Sequence, residues 1–92
     1  MNLEELRDRY VAFQMDGHPD LTEFLDRVVA GDFGPVSPEL LAEFLDSVEA
    51  DIVGNMETMA AANPDLAARK DEALAAQLEW LRRIREKYVA RR

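Results

Sequence analysis

The side chains able to do chemistry are few, and they are scattered along the chain. The single histidine is His18, set between Gly17 and Pro19, and the two serines are Ser37 and Ser47. A nucleophilic dyad or a histidine metal site needs a second positioned partner beside the first. There is no cysteine, so thiolate ligands, thiol nucleophiles and disulfides are excluded. His18 therefore reads as a turn residue and Ser37 as a helix cap. Carboxylates remain. Glu39, Glu43, Asp46 and Glu57 recur at spacings that set them at nearly one angle around a helix, an acidic ridge opposite its apolar stripe. Such a ridge is a solvated face, a surface for a basic partner, or half of a cation site.

The last possibility has a concrete form. Glu43-x-x-Asp46 resembles one element of the paired acidic motifs of MazG-type nucleotide pyrophosphohydrolases, which implies carboxylates converging from two helices on magnesium and on the substrate's phosphates. That family needs a matching element on a second helix. Here the last helix offers Asp71, Glu72 and Glu79 at a different spacing, and the ridge is expected to face away from the seam between the two helices. Half of the pattern is present, so no catalytic, cofactor-binding or metal-binding residue is assigned, no cofactor is expected, and the chain is read as a non-enzyme. Asp32-Phe33-Gly34 copies a kinase tripeptide, but 92 residues leave no room for kinase lobes, and no glycine-rich phosphate loop accompanies it.

The basic counterpart is Arg82, Arg83, Arg85, Lys87, Arg91 and Arg92. Phosphate backbones complement such a cluster. No helix-turn-helix, zinc-finger or aromatic stacking signature stands beside it, so acidic protein is the better expectation. Trp80, Ile84 and Tyr88 lie in the same stretch and are residue types that anchor interfaces, though Trp80 and Ile84 could equally pack under the first two helices. Arg85 interrupts the apolar line between Leu81 and Tyr88: either its stem snorkels over the end of the core, or its guanidinium meets a carboxylate from the acidic helices or from another chain. Asn55 also falls where an apolar residue is due. It is either one half of a register-setting pair across a dimer or, more simply, an edge residue beside an inward Met56.

The elements that carry these residues follow from periodicity and caps. Asn2 with Glu5 opens a first helix whose Leu3, Leu6, Tyr10 and Phe13 share a face, and Gly17 and Pro19 end it near Met15. Asp20 with Glu23 opens a second, with Leu21, Phe24, Leu25 and Val28 inward up to Gly31. The loop 31–36 should be pinned by Phe33 and Val36. Ser37 caps and Pro38 starts a third helix of about 25 residues, with Val36 stapling onto Leu41 and with Leu41, Leu45, Val48, Ile52, Asn55 and Met59 in a four-three rhythm. Asn63-Pro64 makes a tight turn into a fourth helix running to near Val89, with Ala67, Leu74, Leu78, Leu81 and Tyr88 on one line. The expected fold is all-α, a single helical domain of residues 1–92, with two short N-terminal helices packed on a long antiparallel helical hairpin.

Composition bounds the rest. Apolar residues make up 48% of the chain, but thirteen of them are Ala, so the expected core is thin and a partner or oligomerisation would help it. The net charge of −8 is divided: residues 1–65 carry fifteen acids and three bases, net −12, and residues 66–92 carry four acids and eight bases, net +4. No run approaches the roughly 20 apolar residues of a membrane span, and Met1-Asn2-Leu3-Glu4-Glu5 is not a signal peptide, so a cytoplasmic protein is expected. The resulting functional expectation is an acidic helical protein–protein interaction module, an adaptor, inhibitor or immunity-type protein, with a basic nucleic-acid-binding protein as one kind of partner. Its surface residues would be Trp80, Ile84, Arg85, Tyr88, Arg82, Arg83, Glu39, Glu43 and Asp46. The alternative is a homodimeric or larger structural bundle. Nucleic-acid binding through the last helix ranks below both, magnesium-dependent pyrophosphohydrolysis last, and no membrane partner is expected.

Overall fold

The computed structural model describes residues 1–17 and 20–89. His18, Pro19, Arg91 and Arg92 lie outside the described residues, and so do the expectations attached to them. The described residues form five helices and no strand: α1 (Leu3–Met15), α2 (Leu21–Val29), α3 (Pro38–Ala62), α4 (Pro64–Ala68) and α5 (Lys70–Tyr88). None is long and apolar enough to cross a membrane. The chain divides into two compact units, Met1–Phe44 and Leu45–Arg92.

Local chemistry sets the helix ends. The Asn2 side chain accepts from the Glu5 N–H at 2.9 Å, Asp20 from the Thr22 N–H at 2.9 Å, Ser37 from the Leu40 N–H at 3.0 Å, and Asn63 from the N–H groups of Asp65 and Leu66. Each cap satisfies amides that a helix start leaves without an internal acceptor. The Thr22 hydroxyl donates to the same Asp20 oxygen, and these bonds hold the Asp20 carboxyl below its ordinary range. At the end of α2, Gly31 takes φ 86°, so that its N–H reaches Val28 O and the Asp32 N–H reaches Arg27 O. This paired closure asks for a residue without Cβ at the left-handed position.

The first unit is organised by aromatic rings. Phe24 is fully enclosed, and its ring centroid lies 4.9 Å from Tyr10, 5.5 Å from Phe13, 5.3 Å from Phe33 and 5.6 Å from Phe44. Tyr10 meets Phe44 edge-on at 5.5 Å, the geometry that sets a positive ring edge on a negative face. Leu6, Leu21, Leu25, Val28 and Leu41 are buried with them. Phe33 thus fixes the 31–36 loop on α2, as its apolar character predicts. Burial, aided by the Asp20 carboxylate, pushes the Tyr10 hydroxyl above its ordinary value, which keeps the ring neutral at any physiological pH.

The second unit is less enclosed. Its buried side chains are Leu45, Met56, Ala60, Leu81 and Ile84, while Ile52, Val53, Leu66, Leu74, Leu78 and Tyr88 are half-buried. Two expectations are corrected here. The inward line of α3 runs from Leu45 to Met56 and Ala60; Asn55 is exposed beside an inward Met56, the simpler of its two readings, whereas Met59, expected inward, is exposed. At about 100° per residue from Leu45, Met56 and Ala60 lie about 20° and 60° to one side of the helix and Met59 about 40° to the other, so the face that Met56 and Ala60 mark has turned away from Met59. The fourth helix is in fact two, because Arg69 (φ −117°, ψ 13°) leaves the helical region; its N–H turns to Leu66 O while its carbonyl already accepts from Ala73. No Gly or Pro stands there, and local propensity does not account for the break. Ala67, expected inward, is exposed, and Leu66 is half-buried in its place.

Gly54 sits in the middle of α3, exposed, with ordinary helical φ and nothing within 4 Å of an added Cβ. Its flexibility costs the folded state entropy with no geometric return. Replacement by Ala is expected to raise unfolding free energy by about 0.5–1 kcal/mol, measured by urea denaturation.

Candidate interaction surface

Arg85 joins α5 to α3. Its Nη1 lies 2.7 Å from Asp46 Oδ1 and its Nη2 3.4 Å from Glu49 Oε1, with the side chain 28% exposed. The planar head spans two carboxylates one helical turn apart, a geometry that an ammonium cannot reproduce. Of the two expectations for this residue, pairing with an acidic helix is what occurs, and it occurs within the chain. Asp46 therefore does not face away from α5, as the ridge pattern suggests. At its position on the helix it is near the inward edge, close in angle to Val53 and one turn before Glu49. Glu39, Glu43 and Glu57 are exposed further round the same helix.

Two members of the basic cluster, Arg82 and Arg83, pair with acids of their own helix. Arg82 engages Glu79 through two parallel bonds, Nε to Oε2 at 2.9 Å and Nη2 to Oε1 at 2.5 Å, and its Nη1 donates to Glu86. The Nε of Arg83 lies 3.5 Å from Glu79. Lys87 stands over the Tyr88 ring at 5.1 Å. Hydrogen bonds from Arg82 hold the Glu79 carboxyl below its ordinary value and raise the Arg82 guanidinium correspondingly. Sequence reasoning counted the bases and missed this lattice. The signal was present in the three- and four-residue spacing of Glu79, Arg82, Arg83 and Glu86.

The other named positions part company. Ile84 is buried, so it belongs to the core and not to an accessible surface; Tyr88 is half-buried. Trp80 is 45% exposed on α5, and Met59 is 48% exposed on α3. No group of three or more His, Asp or Glu side chains able to hold a metal occurs among the described residues. Two acids that a magnesium site would call on, Asp46 and Glu79, are instead engaged by arginines.

Two expectations follow from these pairs. Replacing Arg85 by Ala removes the stem and leaves Asp46 and Glu49 facing each other without a cation, and should cost about 1–2 kcal/mol in urea denaturation; Arg85→Met keeps the stem and should cost less. Glu79 has a depressed carboxyl value, so its pairing with Arg82 is fully present above its ordinary value of 4.5 and is lost as pH falls through the lower folded value. An NMR titration of the Glu79 carboxyl should show that depression, and Arg82→Gln should return it toward 4.5.

Comparison with protein-family models, with curated proteins and with solved structures finds no match for this chain, so the surface is judged on its own geometry.

Proposed function

We propose that the chain is a cytoplasmic protein–protein interaction module that binds through the Trp80 side of α5. The observation that carries this reading is Trp80 itself, the chain's one tryptophan, left 45% exposed on α5. A large ring left in water gives up free energy that a partner restores, and Trp is the side chain most enriched where interfaces concentrate their binding energy. In this reading α5 and residues 45–62 of α3 pack as an antiparallel hairpin, supported by the Asn63-Pro64 turn and by the reach of Arg85 to Asp46 and Glu49. The hairpin is the rigid mount for the exposed ring. Exposed carboxylates, Glu39 and Glu43 in the first unit and Glu57 in the second, add a preference for basic partners, including proteins that bind nucleic acid, and suit an adaptor, an inhibitor or an immunity-type protein.

Direct binding of nucleic acid ranks lower, because Arg82 and Arg83 already face Glu79 and Glu86 and offer a phosphate backbone little unopposed charge. The experiment is an affinity capture from native lysate containing both tagged and untagged copies of the chain, with Trp80→Ala as control. A stoichiometric protein, either the untagged copy or another chain, should be retained by the parent and lost with Trp80→Ala. Retention of no stoichiometric protein by the parent would reject the reading.

A further inference from the structure

The Trp80 side of α5 carries the complement of itself. At about 100° per residue, Ala76, Trp80 and Lys87 fall close to one line along α5, with Ala73 on one flank and Glu72 and Arg83 on the other. Glu72, Ala76, Trp80, Arg83 and Lys87 are exposed and Ala73 is half-buried. The strip has a direction. Its N-terminal half is acidic and small (Glu72, Ala73, Ala76), and its C-terminal half is bulky and basic (Trp80, Arg83, Lys87). Laid parallel on a second copy, it would set tryptophan on tryptophan, Glu72 on Glu72 and Arg83 on Arg83. Laid antiparallel about a two-fold axis near Gln77, the same sequence separations bring each Trp80 over the mate's Ala73 and Ala76, and each Arg83 to the mate's Glu72. A two-fold contact demands a patch that is its own complement, and this register provides both shape and charge. The Arg83 side chain is three-quarters exposed, and its contact with Glu79 is through Nε at 3.5 Å.

We infer that the partner of the Trp80 surface is a second copy of this chain, docked through α5 in an antiparallel two-fold contact with Trp80 seated on Ala73 and Ala76 and flanked by two Arg83–Glu72 ion pairs. The inference rests on the interaction reading above and names its partner.

Sedimentation of the full chain over a wide concentration range tests it, with the emission of Trp80, the only tryptophan, as a local reporter. The expected result is a reversible dimer whose formation shifts the emission to the blue. Trp80→Ala should weaken self-association by about 30-fold. Glu72→Arg, which sets like charges against each other twice, should weaken it by about tenfold, and Glu72→Arg with Arg83→Glu should recover most of that loss. Circular dichroism confirms that each variant remains helical, and the emission shift of the parent chain decides the matter if the double variant does not fold. A monomer at hundreds of micromolar, a dimer indifferent to Trp80→Ala, or a double variant no tighter than Glu72→Arg overturns the proposal. A monomer that nonetheless captures another protein through Trp80 overturns this inference alone and leaves the interaction reading standing.

Discussion

The enclosure of one ring, Phe24, is the constraint on which the first unit depends. An aromatic side chain with no water contact must be surrounded by others, and here the surrounding rings come from α1 (Tyr10, Phe13), from the loop (Phe33) and from the start of α3 (Phe44). Three segments that share no backbone hydrogen-bond ladder are thus held by contact with the same residue of α2. In a short chain, where apolar area is scarce, concentrating it on a few large rings secures more burial per residue than spreading it over many alanines. The second unit shows the opposite economy, with Ala60, Ala73 and Ala76 along its helices and much of its apolar surface only half-covered.

Charge organises the second unit where apolar area does not. The excess of base in the last helix looks in the sequence like one positive surface. In space it has separate fates: Arg85 leaves its own helix for Asp46 and Glu49, whereas Arg82 and Arg83 stay with Glu79 and Glu86. Exposed pairs of this kind add little stability. Their effect is to set the directions of the Arg82 and Arg85 side chains and to leave the Trp80 ring exposed beside them on α5.

The caps and the apolar stripes were legible from the sequence because both are local. Asn2, Asp20, Ser37 and Asn63 announce four helix starts by side-chain chemistry that acts within three residues. Phe24, Leu25 and Val28 sit where a 3.6-residue period puts them. What escaped was set by phase and by partners distant in sequence. Phe44, a main wall of the aromatic cluster, is not on the Leu41–Leu45 line and was passed over. Met59 was placed inward by a heptad rhythm, whereas Ala60 next to it is the residue enclosed. Glu49 gave no sign of its role because its partner stands 36 residues away. Trp80 was recognisable as an anchor by type, whereas Ile84 beside it, of similar promise in the sequence, is enclosed.

The break at Arg69 makes the connection between α3 and α5 a separate mechanical element. α4 has no buried residue, and it is held by the Asn63 cap at one end and by a single tight turn at the other. α5 starts afresh at Lys70, with Asp71 and Glu72 in its first turn facing the positive end of its own dipole. Fraying that begins at the Asn63-Pro64 corner therefore meets a helix with its own nucleus instead of unwinding a continuous one. The corner is consequently the place where the backbone tolerates being lengthened, because residues inserted between Ala62 and Arg69 leave the buried side chains of α3 and α5 on unbroken helices.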